Sequence, residues 1–146
     1  MKPLRRVVSG LDGEGRSCFI FDDEASAVIW ETKDAVADNS GAADAGAGPP
    51  GFPTSGTQIV YTDFAPGRVS SMHATNTIDY VVVVSGEITI VLDAGETRLK
   101  AGDVFVDRGV PHSWRNDGDE TCRMVIVLCP AHPVGKGATA TGRMYG

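Results

Sequence analysis

The sequence predicts an all-β protein folded as an antiparallel barrel or jelly roll. Three observations carry this. The longest apolar runs, residues 80–84 and 124–129, have strand length and fall far short of the ~20 residues of a membrane span. Short β-prone pieces alternate with glycine-rich turns. No stretch repeats its apolar residues with the period of an amphipathic helix. A chain of 146 residues suits a single domain around one core.

The elements follow in order. Residues 4–8 read as a first strand, and residues 9–15, rich in Gly and Asp, as a turn. Residues 17–21 and 28–32 read as the next two strands. Composition then shifts: residues 34–56 are dominated by Ala, Gly, Asp and Pro, and read as a long loop, either a lid or a mobile excursion. Residues 57–64 resume the strands, and Ala65-Pro66-Gly67 turns the chain. Residues 80–84 form a β-branched run of the kind covered on both faces. Residues 88–92, 97–100 and 104–106 follow as short strands between turns. Residues 121–128 alternate cleanly, with Cys122, Met124, Ile126 and Leu128 on one face. This gives eight to ten strands in three regions. Residues 1–56 pack on the barrel, 57–130 form its core, and 131–146 are a tail that wraps the surface or frays.

Composition narrows the function classes. A net charge of −6 without a Lys/Arg cluster argues against nucleic acid and against anionic membrane as partners. Three cysteines, Cys18, Cys122 and Cys129, form no CxxC pair. They fit thiols kept reduced in the cytoplasm, and the first residues lack the apolar core of a signal peptide. A cytoplasmic protein working on a small molecule is the expectation.

The chemistry concentrates in two blocks. The first runs Gly67, His73-x-Thr75-x-x-x-Asp79, Gly86; the second runs Gly102, Gly109-x-x-His112-x-x-x-Asn116. His73, His112 and Asp79 together offer two imidazoles and one carboxylate. That set can hold one divalent metal (iron, manganese, nickel or zinc) and leave positions open for water, substrate or dioxygen. Without metal, His73 or His112 serves as a general acid or base. As plain structure, His73 pairs with Asp79 and His112 is a satisfied core residue. Trp30 and Trp114 either line a pocket for a small cyclic substrate or pack in the core. Tyr80, next to Asp79 on a strand, points to the opposite face. Asn116 reads as a turn-former.

The two blocks resemble the two motifs of the cupin superfamily, in the branch of small single-domain cupins with a His-x-Thr-x-x-x-Asp-Tyr first motif. The match departs at Thr75, where that family's second histidine stands, and at Asp79, where its glutamate stands. The second block is one residue short, with Asp107-Arg108 in the usual proline region. The resemblance implies a double-stranded β-helix and a homodimer. It implies a metal held by His73, Asp79 and His112, with Thr75 beside a metal-bound water or filling the space of the missing imidazole. It implies an oxidoreductase or dioxygenase, or else a lyase such as a dehydratase or decarboxylase. A small-ligand-binding cupin without catalysis is the non-enzyme alternative.

Overall fold

The computed structural model describes residues 1–142. Among them there is no helix, and ten strands carry the fold: β1 (Arg5–Leu11), β2 (Ser17–Glu24), β3 (Val28–Glu31), β4 (Gln58–Phe64), β5 (Thr77–Ser85), β6 (Glu87–Leu92), β7 (Gly95–Lys100), β8 (Val104–Asp107), β9 (His112–Arg115) and β10 (Cys122–Pro130). A five-stranded sheet in the order β3-β4-β10-β5-β8 faces a three-stranded sheet in the order β7-β6-β9. The hairpin β1-β2 forms a separate two-stranded sheet. All pairings between the strands are antiparallel.

The core lies between the two large sheets because alternation points every second residue inward. On β10, Cys122, Met124, Ile126 and Leu128 are all buried, as the pattern predicts. They meet Val60 and Phe64 of β4, Val81 and Val83 of β5, Ile88 and Ile90 of β6, and Trp114 of β9. Cys122 is buried while Cys18 and Cys129 are half-buried, and all three are free thiols.

Two expectations need correction, and one strand was not expected. Residues 80–84 are not covered on both faces. Tyr80, Val82 and Val84 are exposed on the outside of β5, opposite Val106 and Val104 of β8. A β-branched run satisfies strand preference on either face, so it does not report burial by itself. The turn at residues 9–15 is shorter than expected, because β1 continues through a register shift at Val8/Ser9 to Leu11. Finally, β9 has only four residues, three of them polar, too few to show an alternating pattern.

The long loop at residues 34–56 is stitched to β3. The Glu31 amide donates to the Ala45 carbonyl (2.9 Å), and the Ala47 amide to the Val28 carbonyl (3.0 Å). Its anchor is Arg6, only 7% exposed. One guanidinium reaches both oxygens of Asp23 on β2 (2.9 and 2.8 Å) and both of Asp44 in the loop (2.7 and 2.9 Å). Two bidentate pairs on one fork use the planar geometry that only arginine offers. The guanidinium holds the Asp44 carboxyl at about 2, helped by the Gly46 amide. Arg6 thus ties hairpin, loop and β3 into one unit.

Arg6→Ala removes the cation and leaves two carboxylates facing each other. Both are partly solvated, so the loss should be about 2 kcal/mol, below that of a fully buried pair. Urea denaturation at pH 7 measures it. An unchanged midpoint would mean that the loop is not held through this guanidinium.

Candidate functional site

The site begins with a backbone bridge. Between β4 and β5 the chain runs through residues 65–76 and touches β9 at isolated positions, Val69 opposite Arg115 and His73 opposite His112. The His73 amide donates to the His112 carbonyl and the His112 amide to the His73 carbonyl, each at 2.9 Å. Directly opposed residues in an antiparallel pair present their side chains on one face. The two imidazoles therefore lie together, with ring centroids 4.4 Å apart and planes inclined at 55°.

Each ring is fixed at its Nδ1. His73 Nδ1 lies 2.8 Å from the Ser71 carbonyl. His112 Nδ1 lies 2.9 Å from the Val110 carbonyl and 2.9 Å from Asp107 Oδ2. Every one of these neighbours is an acceptor, so the proton of each neutral ring belongs on Nδ1. Nε2 is then the working nitrogen of both residues.

Asp107, at the end of β8, is 1% exposed. Its Oδ1 accepts from the Gly109 amide (3.0 Å) and the Val110 amide (3.3 Å), building the turn that delivers His112. The His112 Nδ1 proton aims at the Val110 carbonyl. Among the described residues Asp107 Oδ2 is therefore the buried side-chain oxygen with no hydrogen bond, held against the ring by charge. Gly109 makes the same turn. Its φ is 77°, and a Cβ there would sit 2.7 Å from the Thr75 carbonyl oxygen.

Asp79 stands directly across from Asp107 on the neighbouring strand β5. Thr75, Thr77 and Asp79 form a buried chain: the two hydroxyls are 2.8 Å apart, and Thr77 donates to Asp79 Oδ1 at 2.7 Å. A hydroxyl has one proton, and Thr77 spends it on Asp79, so Thr75 is the donor to Thr77.

The ionisations follow from these surroundings. Burial pushes the Asp79 carboxyl up to about 6; Thr77 and His112 pull it down, and Asp107 pushes it further up. Burial also pulls the His112 imidazole down, but Asp107, the Val110 carbonyl and Asp79 outweigh it and hold it above its ordinary value. His73 lies below its ordinary value, chiefly through burial, against the pull of the Ser71 carbonyl. The three groups thus differ in proton affinity within one small space, which is what paired acid and base work needs.

The expected residues divide clearly. His73, His112, Thr75 and Asp79 come together, and Trp114 meets His112 edge-on at 6.0 Å, buried in the core. Trp30 does not join them. It packs against Phe21 of β2, with ring centroids 6.3 Å apart, and lines a cavity of about 480 Å³ under the N-terminal hairpin. Its position on β3, at the sheet edge beside the hairpin, takes it away from the histidines. Asn116 is the expected turn-former: its Nδ2 donates to the Phe64 and Glu120 carbonyls (both 2.9 Å), and its Oδ1 accepts from the Gly118 amide (2.9 Å). The reading of the sequence missed Asp107 and Thr77. The signal for Asp107 was an acid closing an apolar strand just before a positive-φ glycine. Thr77 offered none beyond its spacing from Asp79.

A metal needs a third donor beside the two Nε2 atoms. Among the described residues no group of three His, Cys, Asp or Glu side chains is arranged to hold one. Asp79 is engaged by Thr77 instead. The side chains as they stand do not fit a preformed three-ligand centre.

Comparison with known proteins agrees with this fold. The family model described as "Cupin domain" matches residues 60–128. The "Cupin-domain-containing oxidoreductase virC" of Hypocrea virens is 33% identical over 90% of this chain and 79% of its own length. "Phomopsin biosynthesis cluster protein D" of Diaporthe leptostromiformis is 49% identical over 59% of this chain; the match spans 47% of that relative, about half its length. Among solved structures, an uncharacterized conserved protein with a double-stranded beta-helix domain from Klebsiella pneumoniae superposes with a TM-score of 0.51. It is 25% identical, and the match covers 71% of this chain and 74% of that one.

Asp79→Asn tests the electrostatics. The folded chain holds the Asp79 proton up to pH about 6, whereas the unfolded chain releases it near 3.8. Stability therefore falls as pH rises between these values and carries the full cost above 6, about 3 kcal/mol at most. Asn still accepts from Thr77 and has no charge to bury. The variant should be more stable than wild type at pH 7.5 by about 2 kcal/mol, and its melting temperature should not fall between pH 4.5 and 6, below the range in which His112 loses its proton. A less stable variant with the wild-type slope would contradict this.

Proposed function

The chain belongs to the cupin family, and from that premise we propose that it is an enzyme of the oxidoreductase kind. Its substrate is a small oxygenated organic molecule, and its central event is proton transfer between that molecule, Asp79 and His112. The observation that supports this most is the contact of the buried His112 ring with Asp107, facing His73, with Asp79 on the neighbouring strand. The oxidoreductase character comes from the virC relative's name.

In this reading Asp107 holds His112 with Nε2 turned to the work. Charged His112 donates its Nε2 proton to a carbonyl or enol oxygen of the substrate and stabilises the charge that develops there. Asp79, ionised above pH about 6, accepts the proton released from the neighbouring carbon or hydroxyl. Thr77 and Thr75 keep Asp79 in place. His73, half-buried and uncharged at neutral pH, sits at the outer end of the site as a second acceptor. These transfers move protons alone; in an oxidation the two electrons would pass to dioxygen as co-substrate, which takes up two protons and leaves as hydrogen peroxide.

A second reading adds a divalent metal. The fixed Nδ1 atoms favour it, because a ring held on a carbonyl presents Nε2 as a ligand. His73 and His112 would hold the ion, and Asp79 would complete the set after turning off Thr77. Such an ion supplies Lewis acidity and, if iron, a place for dioxygen. A lyase outcome uses the same proton transfers. A cytoplasmic homodimer stays within the proposal, resting on the cysteines and the resemblance.

Proton exchange separates these readings. Small ketones and phenols are incubated with the chain in D2O, and loss of the acidic C–H signal is followed by NMR. The first reading expects exchange that survives exhaustive chelation and falls about 100-fold or more in Asp79→Asn and His112→Gln. Exchange lost on chelation would establish the second reading, if elemental analysis also finds near-stoichiometric metal that is missing from His73→Ala and kept by Thr75→Ala. No exchange with or without metal would leave a binding cupin.

A further inference from the structure

The segment that carries His73 and Thr75 has two sides, and β9 satisfies only one of them. The backbone groups of His73 point to β9, where they pair with His112. Those of the next residue, Ala74, point the other way, as the alternation of an extended chain requires. Ala74 is buried, so its amide and carbonyl need partners away from water.

Residues of the C-terminal tail supply them. The Ala74 amide donates to the Thr139 hydroxyl at 2.8 Å. The Thr139 amide (2.8 Å) and the Ala140 amide (3.1 Å) both donate to the Ala74 carbonyl. Two further bonds fasten the tail next door: the Ala131 amide to the Asn76 carbonyl (3.0 Å) and the Ala138 amide to Asn76 Oδ1 (3.0 Å). The Phe52 amide donates to the Gly142 carbonyl (2.9 Å), so the tail also meets the end of the long loop. Residues 73–76 thus lie as a middle strip between β9 and a strap made of residues 131–142.

We infer that Thr139 is a positioning residue of the site, the buckle that holds the His73–Thr75 strip against β9. Backbone groups could in principle satisfy Ala74 at any position of the tail. Here a side-chain hydroxyl takes the buried amide, which makes the contact specific to one residue. Thr139 itself is exposed, so changing it opens no cavity in the core. With the Oγ1 acceptor gone, the Ala74 amide loses its partner, and the strip gains freedom to leave the bridge that puts the two rings together. The consequence for activity rests on the function proposed above. The placement of the strip does not, and would persist if that function were wrong.

The test uses the full chain with Thr139→Val, which keeps the shape and loses the acceptor, and Thr139→Ser, which restores it. Two NMR readouts are followed: amide hydrogen exchange at Ala74 and the ring resonances of His73. The expected result for Thr139→Val is exchange at Ala74 faster by roughly tenfold or more, with displaced or broadened His73 ring signals. Amides of Val81 and Leu128 in the core should keep their wild-type protection, and Thr139→Ser should return both readouts to wild type. Unchanged exchange at Ala74 would overturn the inference. So would an equal loss of protection at Ala74, Val81 and Leu128, because that would make Thr139 a contributor to global stability alone.

Discussion

Everything at this site depends on a pair of hydrogen bonds, the reciprocal amide-to-carbonyl bonds between His73 and His112. Together with the bonds between Ser70 and Trp114 they join a segment with no strand of its own to the four-residue strand β9. By making the two residues direct opposites, they place both imidazoles on one face at 4.4 Å. They also decide which way the next residue faces, which is why Ala74 turns to the tail. A register slip of one residue would send His73 to the other face and leave His112 alone. The supports gather around this bridge: the Asp107 turn with Gly109 on one side, the Thr139 strap on the other.

The electrostatic cost of the arrangement is plain. Two carboxylates, Asp79 and Asp107, stand opposite each other on neighbouring strands, both almost without contact with water. A fold selected for stability alone would place apolar or paired groups there. Asp79 is stabilised by Thr77 and by the charge of His112, and still keeps its proton up to pH about 6. Strain of this kind collects where chemistry is done. It contrasts with Arg6, whose two carboxylate partners lie partly in water and serve only to fasten the hairpin and loop.

Much of this was legible in the sequence. The alternation of residues 121–128 and the glycines at turns point to the all-β barrel that the structure has, and the spacing of His73, Asp79 and His112 singles out residues that lie on neighbouring segments of it. The rest was hidden for physical reasons. Strand β9 is set by its pairing with β6 and by the His73 bridge, not by its own composition. Asp107 gains its meaning only from the turn at Gly109, which carries the chain back to it. Trp30 read as either pocket wall or core because aromatic residues suit both, and only the sheet order sends it to the hairpin. Strand β5 looked doubly buried because valines suit both of its faces. The tail read as surface wrapping, but its bond to the buried Ala74 amide is a long-range contact that no local pattern announces.

Both histidines are held through Nδ1, leaving Nε2 to act. Nitrogen-15 NMR of the ring nitrogens, recorded at a pH where both rings are neutral, tests this most directly. The expected spectrum shows a protonated Nδ1 and a bare Nε2 on both His73 and His112, with Asp107→Asn changing the His112 pattern and leaving that of His73. Protonated Nε2 on either ring, or an Asp107→Asn spectrum identical to wild type, would contradict it.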